Sequence, residues 1–180
     1  VASNNDATIT AYGGVDGVIY LANNTNGNAI RSIDIGSSIT GLFFSPDGTF
    51  IAASLEDGTV GVYIVANGEE QYRLTGHEQI VTDVEISSDG RILASASGDT
   101  TIRLWDMETG ELLRVLDDHP GFVLKLSFSK DGTQLVSSSA DETITGSADD
   151  ITDRTVRIWD VETGENTVII DPQSGFVRDV

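Results

Sequence analysis

The chain has 180 residues, with 29 Asp and Glu against 10 Lys and Arg, for a net charge of −19. A surface of that charge repels phosphate backbones and anionic headgroups, which argues against nucleic acid and membranes as partners. There is no cysteine, so disulfides, thiol nucleophiles and thiolate metal sites are excluded together, and no apolar run approaches the roughly 18 residues of a membrane-spanning helix.

Hydrophobic residues make up 39% of the chain and charged residues 22%, the balance of a folded protein. The 19 Gly, against 3 Pro, point to many tight turns. Nothing near Val1 reads as a basic segment followed by an apolar one, so no signal peptide is expected in this stretch. The composition does not decide the compartment.

Taken in chain order, the elements repeat. Ser3-Asn4-Asn5-Asp6 reads as a worn copy of a turn that recurs at a spacing of 42 residues. Its clear copies are Ser45-Pro46-Asp47-Gly48, Ser87-Ser88-Asp89-Gly90 and Ser129-Lys130-Asp131-Gly132. A second turn keeps step at Asp16-Gly17, Asp57-Gly58 and Gly98-Asp99, and Gly27, Gly68, Gly110 and Gly164 open the last part of each unit. Between the turns lie short runs rich in Val, Ile, Leu and Thr, such as 81–86, 92–95, 101–105 and 112–116. No segment carries a sustained apolar stripe of helical period. Each unit of about 42 residues therefore reads as four short strands, and the fold class is all-β.

Two signatures stand on this period. Leu104-Trp105-Asp106 and Ile158-Trp159-Asp160 close third strands, with Gly76-His77 and Asp118-His119 upstream of them. In this combination the chain resembles the WD40 repeat family. The resemblance implies a β-propeller with blades of four antiparallel strands, about four of them here: a degenerate blade at 1–38, then 39–80, 81–122 and 123–176, with 177–180 beginning the next strand. It also implies that each blade is tied by a buried hydrogen-bond chain of His, Ser or Thr, Asp and Trp. The third repeat offers His77, Ser95 or Ser97, Asp99 and Trp105, and the fourth His119, Ser137 or Ser139, Asp153 and Trp159. A buried indole N–H needs an acceptor, and an imidazole bridging Asp and a hydroxyl organises one. The same residue types also suggest a hydrolytic triad. Their recurrence in two repeats and their expected burial favour the structural role.

The other units depart from the signature. Tyr63 stands at the Trp position of the second repeat, and Leu21 or, with one shift, Tyr20 in the first. Gly36-Ser37-Ser38 replaces Gly-His, and Gln173 stands where a further His is due, so apolar packing is expected to hold those blades, less rigidly. Val81 to Val123 spans 42 residues but Val123 to Val177 spans 54, so the fourth unit carries 12 extra, placed at 141–152. Its acids, with Asp141, Glu142, Asp149, Asp150 and Asp153 in and beside it, match no calcium-loop spacing, and a solvated acidic loop is expected. No metal, cofactor, phosphate loop or nucleophile elbow is expected, and catalysis is not.

Phe176-Val177-Arg178-Asp179-Val180 matches the opening of a first strand at Ile80, and Val1-Ala2-Ser3 matches its close at Glu85-Ile86-Ser87. Two readings are favoured over a closed ring of four blades: an excerpt of a longer propeller, or a homodimer in which each copy completes the other's split strand to give eight. The expected role is a non-catalytic protein-interaction scaffold. Glu78, Ile80, Phe122, Phe176 and Asp150, with Asp117 and Asp118, are expected on the face that binds proteins or peptides of basic character. Phe122 and Phe176 serve equally well as interblade packing. A structural or assembly module of a secreted or surface bacterial protein is the alternative, and an enzyme on a propeller scaffold ranks behind both.

Overall fold

The computed structural model describes residues 1–140 and 155–170. The expectations on the insertion at 141–152, on Asp150, Asp153 and Phe176, and on a strand start at 177–180 lie outside the described residues. Within them the chain is all-β, with four antiparallel sheets of four strands, each in sequence order. The first sheet holds β1 (Ala2–Ser3), β2 (Ile9–Tyr12), β3 (Val18–Asn23) and β4 (Ala29–Asp34). The second holds β5 (Ile39–Phe44), β6 (Phe50–Leu55), β7 (Val60–Ile64) and β8 (Glu70–Leu74). The third holds β9 (Val81–Ile86), β10 (Ile92–Ser97), β11 (Ile102–Asp106) and β12 (Leu112–Leu116). The fourth holds β13 (Phe122–Phe128), β14 (Gln134–Ala140), β15 (Val156–Asp160) and β16 (Asn166–Ile170). First strands sit beside first strands, β1 against β5, β5 against β9 and β9 against β13. This is the arrangement of propeller blades.

The recurring turn is built by side chains bonding their own backbone. Ser45 Oγ accepts from Phe50 N–H at 2.9 Å and Asp47 Oδ1 from Thr49 N–H at 3.0 Å, while Gly48 takes φ of +71°. Ser87, Asp89 and Gly90, and then Ser129, Asp131 and Gly132, repeat it. In the first blade the register differs by one from the sequence reading. Asn4 Oδ1 accepts from Ile9 N–H at 2.8 Å, Asp6 Oδ1 accepts from Thr8 N–H at 3.0 Å, and Ala7 takes φ of +54°. The turn is therefore Asn4-Asn5-Asp6-Ala7, because an Asn amide does the work of the serine hydroxyl. The shift carries through the blade: Ala22, opposite Ala29 beyond the bulge, occupies the place that Trp105 holds opposite Leu112. Neither Leu21 nor Tyr20 stands there, and Leu21 is buried on the other face of the sheet, in the core shared with the second blade.

The core is three apolar layers, each shared by two blades. Ala11, Ile19, Leu21 and Ile33 of the first blade meet Phe44, Ile51 and Tyr63 of the second. Ala52, Val60, Val62 and Leu74 meet Val84, Leu93 and Trp105. Ala94, Ile102, Leu104 and Leu116 meet Val123, Leu135 and Trp159. Burying one Leu, Ile or Val contributes about 1.5–3 kcal/mol, so the blades hold one another more than each holds itself.

Polar links cross the same interfaces. Near the rim a long side chain on the outer strand of each of the first three blades reaches a carbonyl of the next blade. Arg31 Nη2 donates to Ala66 O at 3.0 Å, Tyr72 Oη to Glu108 O at 2.5 Å and Arg114 Nη2 to Glu162 O at 2.7 Å. Each lies over a glycine. A Cβ on Gly68 would stand 2.9 Å from Arg31 Cδ, and one on Gly110 2.6 Å from Tyr72 Cδ1. Gly164 lies in the same way under Arg114. Near the axis Thr40 Oγ1 donates to Val81 O at 2.5 Å and Thr82 Oγ1 to Val123 O at 2.6 Å.

Candidate functional site

The third blade brings its signature residues together. Trp105 Nε1 donates to Ser95 Oγ at 2.9 Å, and that oxygen lies 2.8 Å from His77 Nε2. His77 Nδ1 is 2.9 Å from Asp99 Oδ2. A carboxylate only accepts, so Nδ1 carries the proton and the Ser95 hydroxyl donates to Nε2. Burial opposes the charge on Asp99. Bonds from His77, from the Thr101 hydroxyl and N–H, and from Glu78 N–H outweigh it and hold the carboxyl well below its usual range. Ser97 stands apart from this chain: it donates to Ile80 O at 2.9 Å and accepts from Asp99 N–H at 3.0 Å, fastening the turn before β11.

The fourth blade repeats the geometry as far as it is described. Trp159 Nε1 and His119 Nε2 both lie 2.7 Å from Ser137 Oγ. Ser139 is 3.3 Å from Thr155 O, away from the indole, and Asp153 lies outside the described residues. Ser95 and Ser137 are fully buried, so neither hydroxyl is open to solvent.

In the second blade the expectation of purely apolar packing is corrected. Tyr63 Oη donates to Glu70 Oε2 at 3.1 Å and accepts from Arg73 Nη2 at 2.7 Å, and Arg73 also pairs with Glu70. Burial, with Glu70 alongside and against the pull of Arg73, pushes the phenol up. The phenol thus takes over, by a different route, the indole's need for a partner.

The loops at one end of the blades carry the residues singled out for binding. Glu78, Asp117 and Asp118 are exposed, and Asp16, Glu56 and Asp57 join them from the turns between second and third strands. Ile80 and Phe122 are both half-buried, Ile80 just before β9 and Phe122 as the first residue of β13, paired with Ala140.

Sequence reasoning missed a second cluster on β9. Asp83 Oδ1 pairs with Lys125 Nζ at 3.0 Å, Asp83 Oδ2 accepts from Leu126 N–H at 3.0 Å, and Glu85 Oε2 accepts from Phe128 N–H at 2.8 Å. These carboxylates satisfy backbone donors on the inner edge of the next blade. Burial pushes Glu85 up to about 7, against the Phe128 N–H and with Asp83 adding to it. Glu85 also borders a half-open cavity of about 490 Å³ between the first-strand ends, with Phe43, Phe128 and Lys130. The alternation Asp83-Val84-Glu85-Ile86 was the available signal, and an acid-rich chain hides it.

The model for the WD domain, G-beta repeat, matches residues 27–63, 68–106 and 110–160, well over half of the chain. The chain belongs to the WD40 repeat family. The WD40 matches are staggered against the sheets: each begins around an outer strand of one blade and ends in the third strand of the next. The Trp-Asp acids of the WD40 signature have a local task, since Asp106 Oδ1 accepts from Glu108 and Thr109 N–H, and Asp160 Oδ1 from Thr163 N–H. No individual curated protein matches the chain.

Proposed function

We propose that this WD40 chain is a non-catalytic interaction scaffold that presents its acidic loop face to a basic protein or peptide. The observation that carries the reading is the set of exposed carboxylates at Glu78, Asp117 and Asp118, beside the half-buried Ile80 and Phe122. Carboxylates steer a cationic partner, and an apolar anchor at the ring's inner lip holds it. The burial of both candidate nucleophilic serines supports a scaffold rather than an enzyme. Asp150 and Phe176 belong to the same proposed face by their place in the repeat.

The test is binding of Lys- and Arg-rich peptides, followed by fluorescence anisotropy across a salt series. Binding should weaken with salt and fall at least tenfold in the triple variant Glu78→Lys, Asp117→Lys, Asp118→Lys. Unchanged binding in that variant would remove the reading. Completion of the ring, by a second copy or by further blades, is part of the same proposal.

A further inference from the structure

An outer strand offers a row of backbone N–H and C=O groups that no neighbour takes up, and folded proteins blunt such an edge with polar and charged side chains. The first two blades do so. Beside Ile30, β4 exposes Ser32 and Asp34, and β8 exposes Glu70 and Gln71, with Arg73 held across its surface by Tyr63 and Glu70. The third blade does not. Its outer strand β12 exposes Leu112, Leu113 and Val115, at 43%, 53% and 39%. Arg114, the one charged residue of the strand, is drawn away to Glu162 O of the fourth blade.

Both faces of this blade are covered, by the second through Trp105 and by the fourth through Leu104 and Leu116. The exposure of β12 is therefore that of a rim and owes nothing to the ends of the array. Arg114 and Leu116 turn toward the fourth blade, and alternation along the strand puts Leu113 and Val115 together on the other side. Within its sheet β12 pairs with β11 alone. Exposed acids bracket it, Glu111 before the strand and Asp117 and Asp118 after it.

We propose that β12 is a docking edge, onto which an extended segment of a partner protein adds as a fifth strand, with apolar side chains at alternate positions and Lys or Arg at both ends. Main-chain hydrogen bonds supply the affinity, and side chains laid over Leu113 and Val115 supply the selectivity. Charge chooses the occupant. Because both ends of β12 are acidic, basic ends are matched in either strand direction. A second copy pairing β12 with β12 would instead set these acids against one another, on molecules that each carry −19. The edge shares Asp117 and Asp118 with the loop face, and so rests in part on the scaffold reading.

The probe is a fluorescent peptide of alternating Val and Thr with a pair of Lys at each end. Its control carries Pro for the central Val, which keeps the charge but removes a main-chain donor. Binding is read by anisotropy, and amide hydrogen exchange is followed on the intact chain. The Val peptide should bind at least tenfold tighter than the control and slow exchange at 112–116 but not at 70–74. The double variant Leu113→Glu, Val115→Glu adds acids at two surface positions, so binding by charge alone would tighten; strand addition should weaken at least tenfold. A peptide that binds no better than its control, unchanged exchange on β12, or a double variant that binds as well or better would each overturn the proposal. Light scattering that shows a dimer dissolved by the double variant would put a second copy on β12 and overturn it too. Lys-rich peptides indifferent to the triple variant at Glu78, Asp117 and Asp118 would remove the loop face alone, since β12 is judged by the proline control and by exchange.

Discussion

Ser95→Ala isolates the hydrogen-bond chain of the third blade. One fully buried oxygen serves two rings, Trp105 Nε1 at 2.9 Å and His77 Nε2 at 2.8 Å. Removing it leaves an indole donor and an imidazole acceptor unpaired, while the volume lost is too small to matter. Each unpaired buried group costs about 1–3 kcal/mol, so the expected loss is about 2–4 kcal/mol, a large share of the usual 5–15 kcal/mol of a folded domain. The assay is urea unfolding, joined to the indole N–H signals in a ¹⁵N spectrum. With only two tryptophans, Ser95→Ala should shift one indole signal and Ser137→Ala the other. Ser97→Ala, which touches neither ring, should leave both in place. A loss below about 0.5 kcal/mol with unmoved indole signals would refute the idea that the shared hydroxyl matters.

The Glu85 carboxyl keeps its proton in the folded state from its ordinary value of 4.5 up to about 7, where the unfolded chain has released it. Stability should therefore fall as pH rises through that window. Glu85→Gln should flatten the slope of urea midpoints between pH 5 and 7; an unchanged slope would assign it elsewhere. Gly110→Ala puts a methyl group 2.6 Å from Tyr72 Cδ1 at φ of +75° and should cost about 1–3 kcal/mol in thermal or urea unfolding. Adding Tyr72→Ala should recover the steric part and leave about 1 kcal/mol of backbone cost. Ala7→Gly should move the other way, gaining about 0.5–1 kcal/mol, because Ala7 holds φ of +54° where the matching turns use glycine.

The features legible in the sequence were those that need particular residue types. Turns that require a side-chain oxygen at one place and a positive φ three residues on leave Ser-x-Asp-Gly behind. Buried indoles with fixed partners leave Trp, His and Ser at a constant period. The first blade misled by one residue because Asn4 substitutes for serine and the first two copies of the turn lie 41 residues apart, which no local pattern marks. Ser95 and Ser97 were indistinguishable in sequence, since both are two-residue neighbours on the same strand and only the sheet register decides which reaches the indole. The rim links were invisible for a different reason. Arg31, Tyr72 and Arg114 share length and a donor but no chemical type, and their acceptors are backbone carbonyls, which any residue supplies. Their only trace is the glycine beneath each, which the sequence reading took only as opening the last part of the unit.

The stagger between matched segment and sheet also bears on how such a chain grows. Arg31 and its acceptor Ala66 lie 35 residues apart, and Tyr72 and Glu108 lie 36 apart. Both members of a rim link therefore fall within one period. A tandem duplication that copies one period copies the long side chain together with the carbonyl and glycine it fits. The new blade meets its predecessor with a contact already fitted, and no compensating change elsewhere is needed for the longer array to fold. The long side chain is then free to differ in chemistry, Arg in the first and third blades and Tyr in the second, provided the glycine stays.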